Sequence, residues 1–259
     1  RAVVLRRVLQ YAAIVAVILS CVYFFLKPIG SMDDLAIAYV DITIPNERGV
    51  MLTLADGEKV VVGNEKREVI FEKTGNVNIK QEGRNELVYE NVKISEKRNV
   101  EEEAMNEITV PAGERVSIIL SDRTKVWLNS ESAIRYPVRF GIGKRVVTVK
   151  GNVYFEVTKD VSRPFFVVMK DMETEVLGTS FEVNTYGDHG EIYMALVEGC
   201  VRVRSGNHVV VAKPNEQVAL DLESRKISTK EVDAARLVAW KDGVLMIKNE
   251  PFVDVIRRL

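Results

Sequence analysis

Cysteine, histidine and tryptophan each occur only twice in the 259 residues, and the formal net charge is −1. The cysteines are Cys21 and Cys200, and Cys21 falls inside a long apolar run, so the two cannot pair. A disulfide scaffold is therefore excluded, and an exported domain must hold together by core packing alone. Two cysteines and two well-separated histidines supply no structural zinc site, and no cofactor is expected. The balance of 36 basic against 37 acidic side chains leaves no global attraction for nucleic acid.

Catalytic constellations are missing too. Gly141-Ile142-Gly143-Lys144-Arg145 resembles part of a phosphate loop, but position 138 is Val where a glycine is needed and no helix pattern follows, so it reads as a turn. Asp188 and His189 with Ser180 have neither a defined order nor a nucleophile elbow. Glu156 with Asp160, or Glu173 with Glu175, are candidate glycosidase carboxylates; Glu173 and Glu175 sit at period two, as a solvent-facing pair does. No group of Trp and Tyr marks a sugar platform, because Trp127 and Trp240 lie far apart in the sequence. Trp127 and Tyr154 are expected in the core. The chain is therefore read as not an enzyme, with a membrane-anchored β-sandwich that binds or processes glycans as the alternative.

What is present begins with residues 8–26, an uncharged run between Arg7 and Lys27. At about 1.5 Å per residue, a helix of this length approaches the roughly 30 Å hydrocarbon core of a bilayer. It exceeds the apolar core of a signal peptide, and Lys27-Pro28-Ile29-Gly30 is a poor cleavage site. Arg1, Arg6 and Arg7 precede it, which by the positive-inside bias keeps the amino end in the cytoplasm and exports everything after Lys27. The first residue is Arg, not Met, so cytoplasmic sequence is expected upstream.

From residue 35 the chain reads as short β-strands cut by Gly, Asn and Asp: 35–44, 50–54, 59–62, 69–71, 77–79 and 87–89. Asp56-Gly57 is the signal of a two-residue hairpin. Residues 96–107 form a charged, solvated loop. A second hairpin follows over 116–120 and 125–128, and an offset of 66 places Val50 on Val116, Leu52 on Ile118, Leu54 on Leu120 and Asp56 on Asp122. A duplicated motif and chance similarity of two amphipathic hairpins both remain open. Further strands are expected at 133–136, 145–149, 153–157, 165–168, 174–177, 181–185, 192–197, 201–204, 209–211 and 218–220. Their spacing, with no intervening helices, predicts an all-β, two-layer, jelly-roll-like sandwich.

After residue 230 the texture changes. Residues 231–241 read as a short helix or docking segment ended by Asp242-Gly243, and 244–247 as one more strand. Pro251 then opens a helix with Phe252, Val255, Ile256 and Leu259 on one face, a candidate partner contact. Two turns are too few for a stable helix, so the chain is expected to continue.

Residues from Thr109 to about Leu222 resemble the FecR family of membrane-spanning sigma-factor regulators. The resemblance runs through Thr109-Val110-Pro111-Ala112-Gly113, Leu120-Ser121-Asp122, Lys125-Val126-Trp127-Leu128-Asn129 and Ser132-Ala133-Ile134-Arg135-Tyr136-Pro137. It continues through Val149-Lys150-Gly151-Asn152-Val153-Tyr154-Phe155-Glu156-Val157 and Arg163-Pro164-Phe165. It is strongest at Val176-Leu177-Gly178-Thr179-Ser180-Phe181-Glu182-Val183 and Leu196-Val197-Glu198-Gly199. Asp122-Arg123 departs from the family's Asp-Gly, which leaves the turn type open. The resemblance implies a cytoplasmic flank (1–7), a transmembrane helix (8–27), a membrane-proximal β region (28–108), a periplasmic β domain (109–230), and a connector with the start of a C-terminal α/β signalling-type module (231–259). It also implies an anti-sigma factor in the inner membrane, relaying a signal from a TonB-dependent outer-membrane receptor to an extracytoplasmic-function sigma factor.

Overall fold

A computed structural model describes residues 39–44, 49–63, 69–72, 77–82, 85–90, 104–187, 190–244 and 246. The apolar run 8–26 and the stretch from Pro251, with Phe252, Val255, Ile256 and Leu259, lie outside the described residues. No helix among the described residues is long and apolar enough to cross a membrane.

The strands begin with β1 (Met51–Thr53), β2 (Lys59–Val61), β3 (Val69–Glu72), β4 (Val77–Glu82) and β5 (Glu86–Glu90). Next come β6 (Met105–Val110), β7 (Val116–Ile119), β8 (Lys125–Leu128), β9 (Ser132–Pro137), β10 (Arg145–Lys150) and β11 (Asn152–Glu156). They continue as β12 (Phe165–Val168), β13 (Glu173–Val176), β14 (Ser180–Asn184) and β15 (Glu191–Glu198). The last are β16 (Val201–Ser205), β17 (His208–Ala212), β18 (Glu216–Asp221) and β19 (Ile227–Glu231), before a one-turn helix α1 (Ala234–Leu237) and a 3-10 turn (Ala239–Asp242).

Among the described residues these strands make two sheets. One has nine strands in the order β17-β16-β13-β12-β10-β9-β6-β1-β2; the other has ten, β19-β18-β15-β14-β11-β8-β7-β5-β4-β3. Only β10 with β12 and β5 with β7 pair in parallel. The all-β sandwich is as expected, but the order is not that of a jelly roll. A jelly roll carries later strands back beside earlier ones; here the chain crosses between sheets after one to three strands, and every arrival except β6, which lies beside β1, pairs with the strand last laid in that sheet. Strands on both sides of residue 109 contribute to both sheets.

Period-two alternation drives the packing. Val77 and Ile79 of β4, Val126 and Leu128 of β8, and Phe155 of β11 all face the other sheet and are fully buried. Phe155 stacks on Phe181 of β14 with centroids 5.3 Å apart, and meets Phe165 of β12 in the opposite sheet edge-on at 6.0 Å. Leu52, Ile79, Leu87 and Ile108 join the same continuous core.

The two related hairpins have the same loop. Leu54 N–H donates to Glu58 O and Gly57 N–H to Leu54 O; Leu120 N–H donates to Thr124 O and Arg123 N–H to Leu120 O. Both loops therefore hold three residues, where Asp56-Gly57 alone signalled two for the first, and the third takes a left-handed backbone: φ is 87° at Gly57 and 69° at Arg123. Asp56 and Asp122 each accept the N–H two residues on. The Asp-Arg departure thus keeps the turn and changes only which residue carries the unfavourable φ.

Other elements differ from the pattern reading. Residues 39–44 form no strand: Ile42 is buried and its carbonyl accepts from Lys150 Nζ at 3.0 Å instead of from a ladder. Met105 to Glu107, read as loop, open β6, which pairs with β9 and β1. β19 was not anticipated, because Ile227-Ser228-Thr229-Lys230-Glu231 is an exposed edge strand with a single large apolar residue. Val244 and Met246 lie in no strand.

Candidate partner-docking surface

The outer face of the ten-stranded sheet carries an aromatic and acidic row. Trp127 on β8, Tyr154 on β11 and Glu182 on β14 are cross-strand neighbours. Their partners at odd spacing, Val126, Phe155 and Phe181, fill the core on the other side. The chain returns over this row after β19. Val238 and Trp240 pack on Tyr154, with Trp127 and Val197 at the margin. This is why β11 and β14 are buried on both faces although one face points away from the other sheet.

Local chemistry shapes the returning segment. Asp233 caps α1 by accepting the Arg236 N–H, and Gly243 closes the 3-10 turn in a left-handed conformation with φ 73°. Trp240 Nε1 donates to Glu182 Oε1 at 2.7 Å, Arg115 Nη1 to Trp240 O at 3.4 Å, and Val232 N–H to Asn215 O at 2.8 Å. The Lys241 ammonium lies 5.6 Å from the Trp127 ring centre and 5.5 Å from that of Tyr154, and pairs with Asp242 at 2.8 Å. The docking segment expected over 231–241 is thus present, as two single turns held by the sheet.

Glu182 sits beneath it, 1% exposed. Burial pushes its carboxyl up to about 7, with Trp240 and Asn152 acting in the other direction. Burial also pushes the Tyr154 phenol up to about 12, with the charge of Glu156 adding to it.

Beside this segment a cleft of about 410 Å³ runs toward the β7–β8 turn, lined by Arg123, Lys125, Glu156, Thr158, Ser180 and Glu198, and shares Tyr154 and Val197 with the aromatic row. Its wall rests on Arg145, which is fully buried. Arg145 Nη1 donates to Asp122 Oδ2 at 2.7 Å and to Thr158 O at 2.9 Å, and Nε donates to Arg163 O at 2.9 Å. The guanidinium also stacks over the Phe165 ring at 5.2 Å. Asp122 in turn accepts from Thr124 Oγ1, which accepts from Thr158 N–H, closing a ring of contacts. Arg145 stands at the opposite end of β10 from Lys150, where the chain arrives at Ile42, so the cleft lies at the far end of the sandwich from that arrival.

Gly141 to Lys144 form a turn, with Gly143 at φ 97° and Ile142 fully exposed. Ser180 lines the cleft and bonds the Tyr154 side chain; Asp188 and His189 lie outside the described residues. Glu156 lines the cleft, whereas Asp160 accepts from Ser162 and Arg163, which hold its carboxyl well below the usual carboxylate range. Glu173 and Glu175 are not a solvent-facing pair. They face Arg204 and Arg202 of β16, and Glu175 is 6% exposed in an ion pair with Arg202 at 2.8 Å. Glu173 is pushed up by burial, with Arg204 acting in the other direction. Trp127 is half-buried on the outer face, not in the core, and Tyr154 is buried there only because the returning segment covers it. Trp127 and Trp240, distant in sequence, share one cluster, which the return of the chain produces. For Arg145 the phase with Val147 and Val149 is the one sequence signal that places it on the inward face.

No curated protein matches the chain. The FecR protein family matches residues 106–202, which include the Arg145 ring and the aromatic row of β8, β11 and β14. Two crystal structures of a proposed anti-sigma factor from Parabacteroides distasonis ATCC 8503 are similar at 33% identity. One is covered over 71% of its length by 58% of this chain with a TM-score of 0.54; the other over 72% by 59%, with a TM-score of 0.55. A shared sandwich at that identity, together with the family match across its centre, places the chain in the FecR family of sigma-factor regulators.

Proposed function

We propose that the chain is the exported sensor half of a single-pass inner-membrane relay that restrains or activates an extracytoplasmic-function sigma factor. The observation that carries this reading is the 33% identity over 71% of a proposed anti-sigma factor. Residues 8–26 act as the anchor, the amino end stays in the cytoplasm, and the sandwich stands in the periplasm. A helical domain ahead of the anchor contacts the sigma factor. The signalling domain of a TonB-dependent outer-membrane receptor contacts the exported side, including Phe252, Val255, Ile256 and Leu259.

The outer face of the ten-stranded sheet supports this reading because it already receives a returning segment of two single helical turns, with aromatic rings, a buried carboxyl and a mixed-charge cleft in one place. Receptor docking transmits a signal only if it binds one arrangement of the exported half better than another. The test is affinity capture of the full-length protein from membranes of cells carrying the inducing signal. Recovery of a sigma factor and a TonB-dependent receptor is expected. Recovery of neither, together with saturable oligosaccharide binding by calorimetry, overturns the relay.

A further inference from the structure

We propose that residues 232–243 form a releasable strap whose docking on the ten-stranded sheet is governed by a proton on Glu182. This inference stands apart from the relay reading and needs no partner.

The strap has little structure of its own to hold it. α1 and the 3-10 turn are four residues each, and single turns are unstable in isolation. Its attachment is the packing of Val238 and Trp240 together with polar contacts from Glu182, Arg115 and Asn215. Glu182 is central. Its Oε1 accepts from Trp240, while Oε2 has no hydrogen-bond partner and is fully shielded from solvent. Asn152, diagonal to Glu182 on the same face, has its Oδ1 in the same condition. Two buried acceptors without donors are unfavourable side by side. A proton on the carboxyl removes the charge and supplies the missing donor.

The surroundings do not compensate a carboxylate. From β11 the facing groups are Asn152, Tyr154 and Glu156; from β14, Ser180 and Asn184; from β15, Tyr193, whose hydroxyl accepts from Asn184. After β14 comes Tyr186, whose phenol is pushed up mainly by burial, with the Glu182 charge a minor contributor. From the strap come Arg236, Lys241 and Asp242, and ahead of β7 comes Arg115. Lys241 is paired with Asp242, and Arg115 donates to Asn129 and to the Trp240 carbonyl. Among the described residues Glu182 makes no ion pair.

Burial, to which the strap contributes, holds the carboxyl near 7, so lifting the strap lets it fall toward the ordinary value of 4.5. The docked form therefore holds the proton more tightly. Docking is strongest below the lower value, weakens as pH rises through the docked value, and changes no further above it. The two values imply a loss of up to roughly three-hundredfold in the docking constant across that window. Release uncovers Trp127, Tyr154 and Trp240.

The two tryptophans supply the readout, since both lie in this interface. In the full chain in detergent with Trp127→Phe, Trp240 emission is expected to shift to the red as pH rises from about 4.5 to about 7 and to stay constant above that. In the same background Glu182→Gln should stay docked and show no shift. A Trp240 emission that is flat in the parent, or that moves equally with Glu182→Gln, overturns the proposal. Should Glu182→Gln fail to fold, amide exchange of the unsubstituted chain decides. After correction for intrinsic rates, the Val238 and Gly243 amides should lose up to roughly three-hundredfold protection relative to β14 as pH rises from about 4.5 to about 7, and equal protection overturns it.

Discussion

Arg145 Nη1 lies 2.7 Å from Asp122 Oδ2, with side-chain exposures of 0% and 4%, and the contact ties a strand of one sheet to a turn of the other. Breaking it from one side is the damaging change. Arg145→Met leaves the Asp122 carboxylate buried without its cation and strips Thr158 and Arg163 of a donor; a loss of about 3–5 kcal/mol is expected. Urea unfolding of Arg145→Met and of Arg145→Met with Asp122→Asn measures it. The double variant should recover part of the loss, because no charge is then stranded.

Arg123 adopts φ 69° at a loop position where the related hairpin has Gly57. A side chain with a Cβ pays roughly 1–2 kcal/mol for that conformation, and glycine gives back part of it as extra freedom in the unfolded chain. Arg123→Gly is expected to raise stability by about 0.5–1 kcal/mol. A denaturation midpoint that falls would show that Arg123 makes a compensating contact at the cleft.

Gly178 has no room for a side chain. A Cβ there would lie 2.6 Å from the Lys159 Cα, which is backbone and cannot swing away. Gly178→Ala should therefore move the 157–160 segment off the β13–β14 turn and cost several kcal/mol. Thermal unfolding reads this directly, with cleft residues Glu156 and Thr158 showing the largest amide shift changes.

Global stability should also carry the signature of Glu182. Its pKa is raised in the folded chain, so its contribution is intact below about 4.5 and is lost as pH rises through about 7. The unsubstituted chain minus Glu182→Gln should differ by a few kcal/mol more at about pH 8.5 than at about pH 5, a comparison that cancels the other carboxylates. Chemical denaturation at the two pH values checks the sign.

Much of the sandwich was legible because half-buried strands write their period into the sequence: Val77 and Ile79, or Val126 and Leu128, identify the inward face at once. Elements that lack such a face were not. β19 is exposed almost throughout, and residues 39–44 bury Ile42 without joining a ladder. The docking segment was visible in its composition, but its target was not. Trp240 finds Glu182 across 58 positions of chain, and no local pattern encodes that distance. The same holds for Glu175, which reads as surface until β16 brings Arg202 opposite it. Arg145 is the instructive miss, since a charge in phase with buried valines is the mark of an inward-facing ion pair.

The order of strands bears on how the molecule is made. In the ten-stranded sheet every strand from β3 to β19 lies beside its predecessor, and in the nine-stranded sheet only β1 and β2 are transposed. Each newly synthesised pair therefore meets a template already in place, and no late strand must insert between two early ones. Assembly can advance from the amino end as the polypeptide emerges, with one live edge per sheet at any moment and short loops to close. Because the closing segment follows β19 in the chain and packs on β8, β11, β14 and β15 together, it is the last piece to reach the sandwich and bridges strands laid at several different stages.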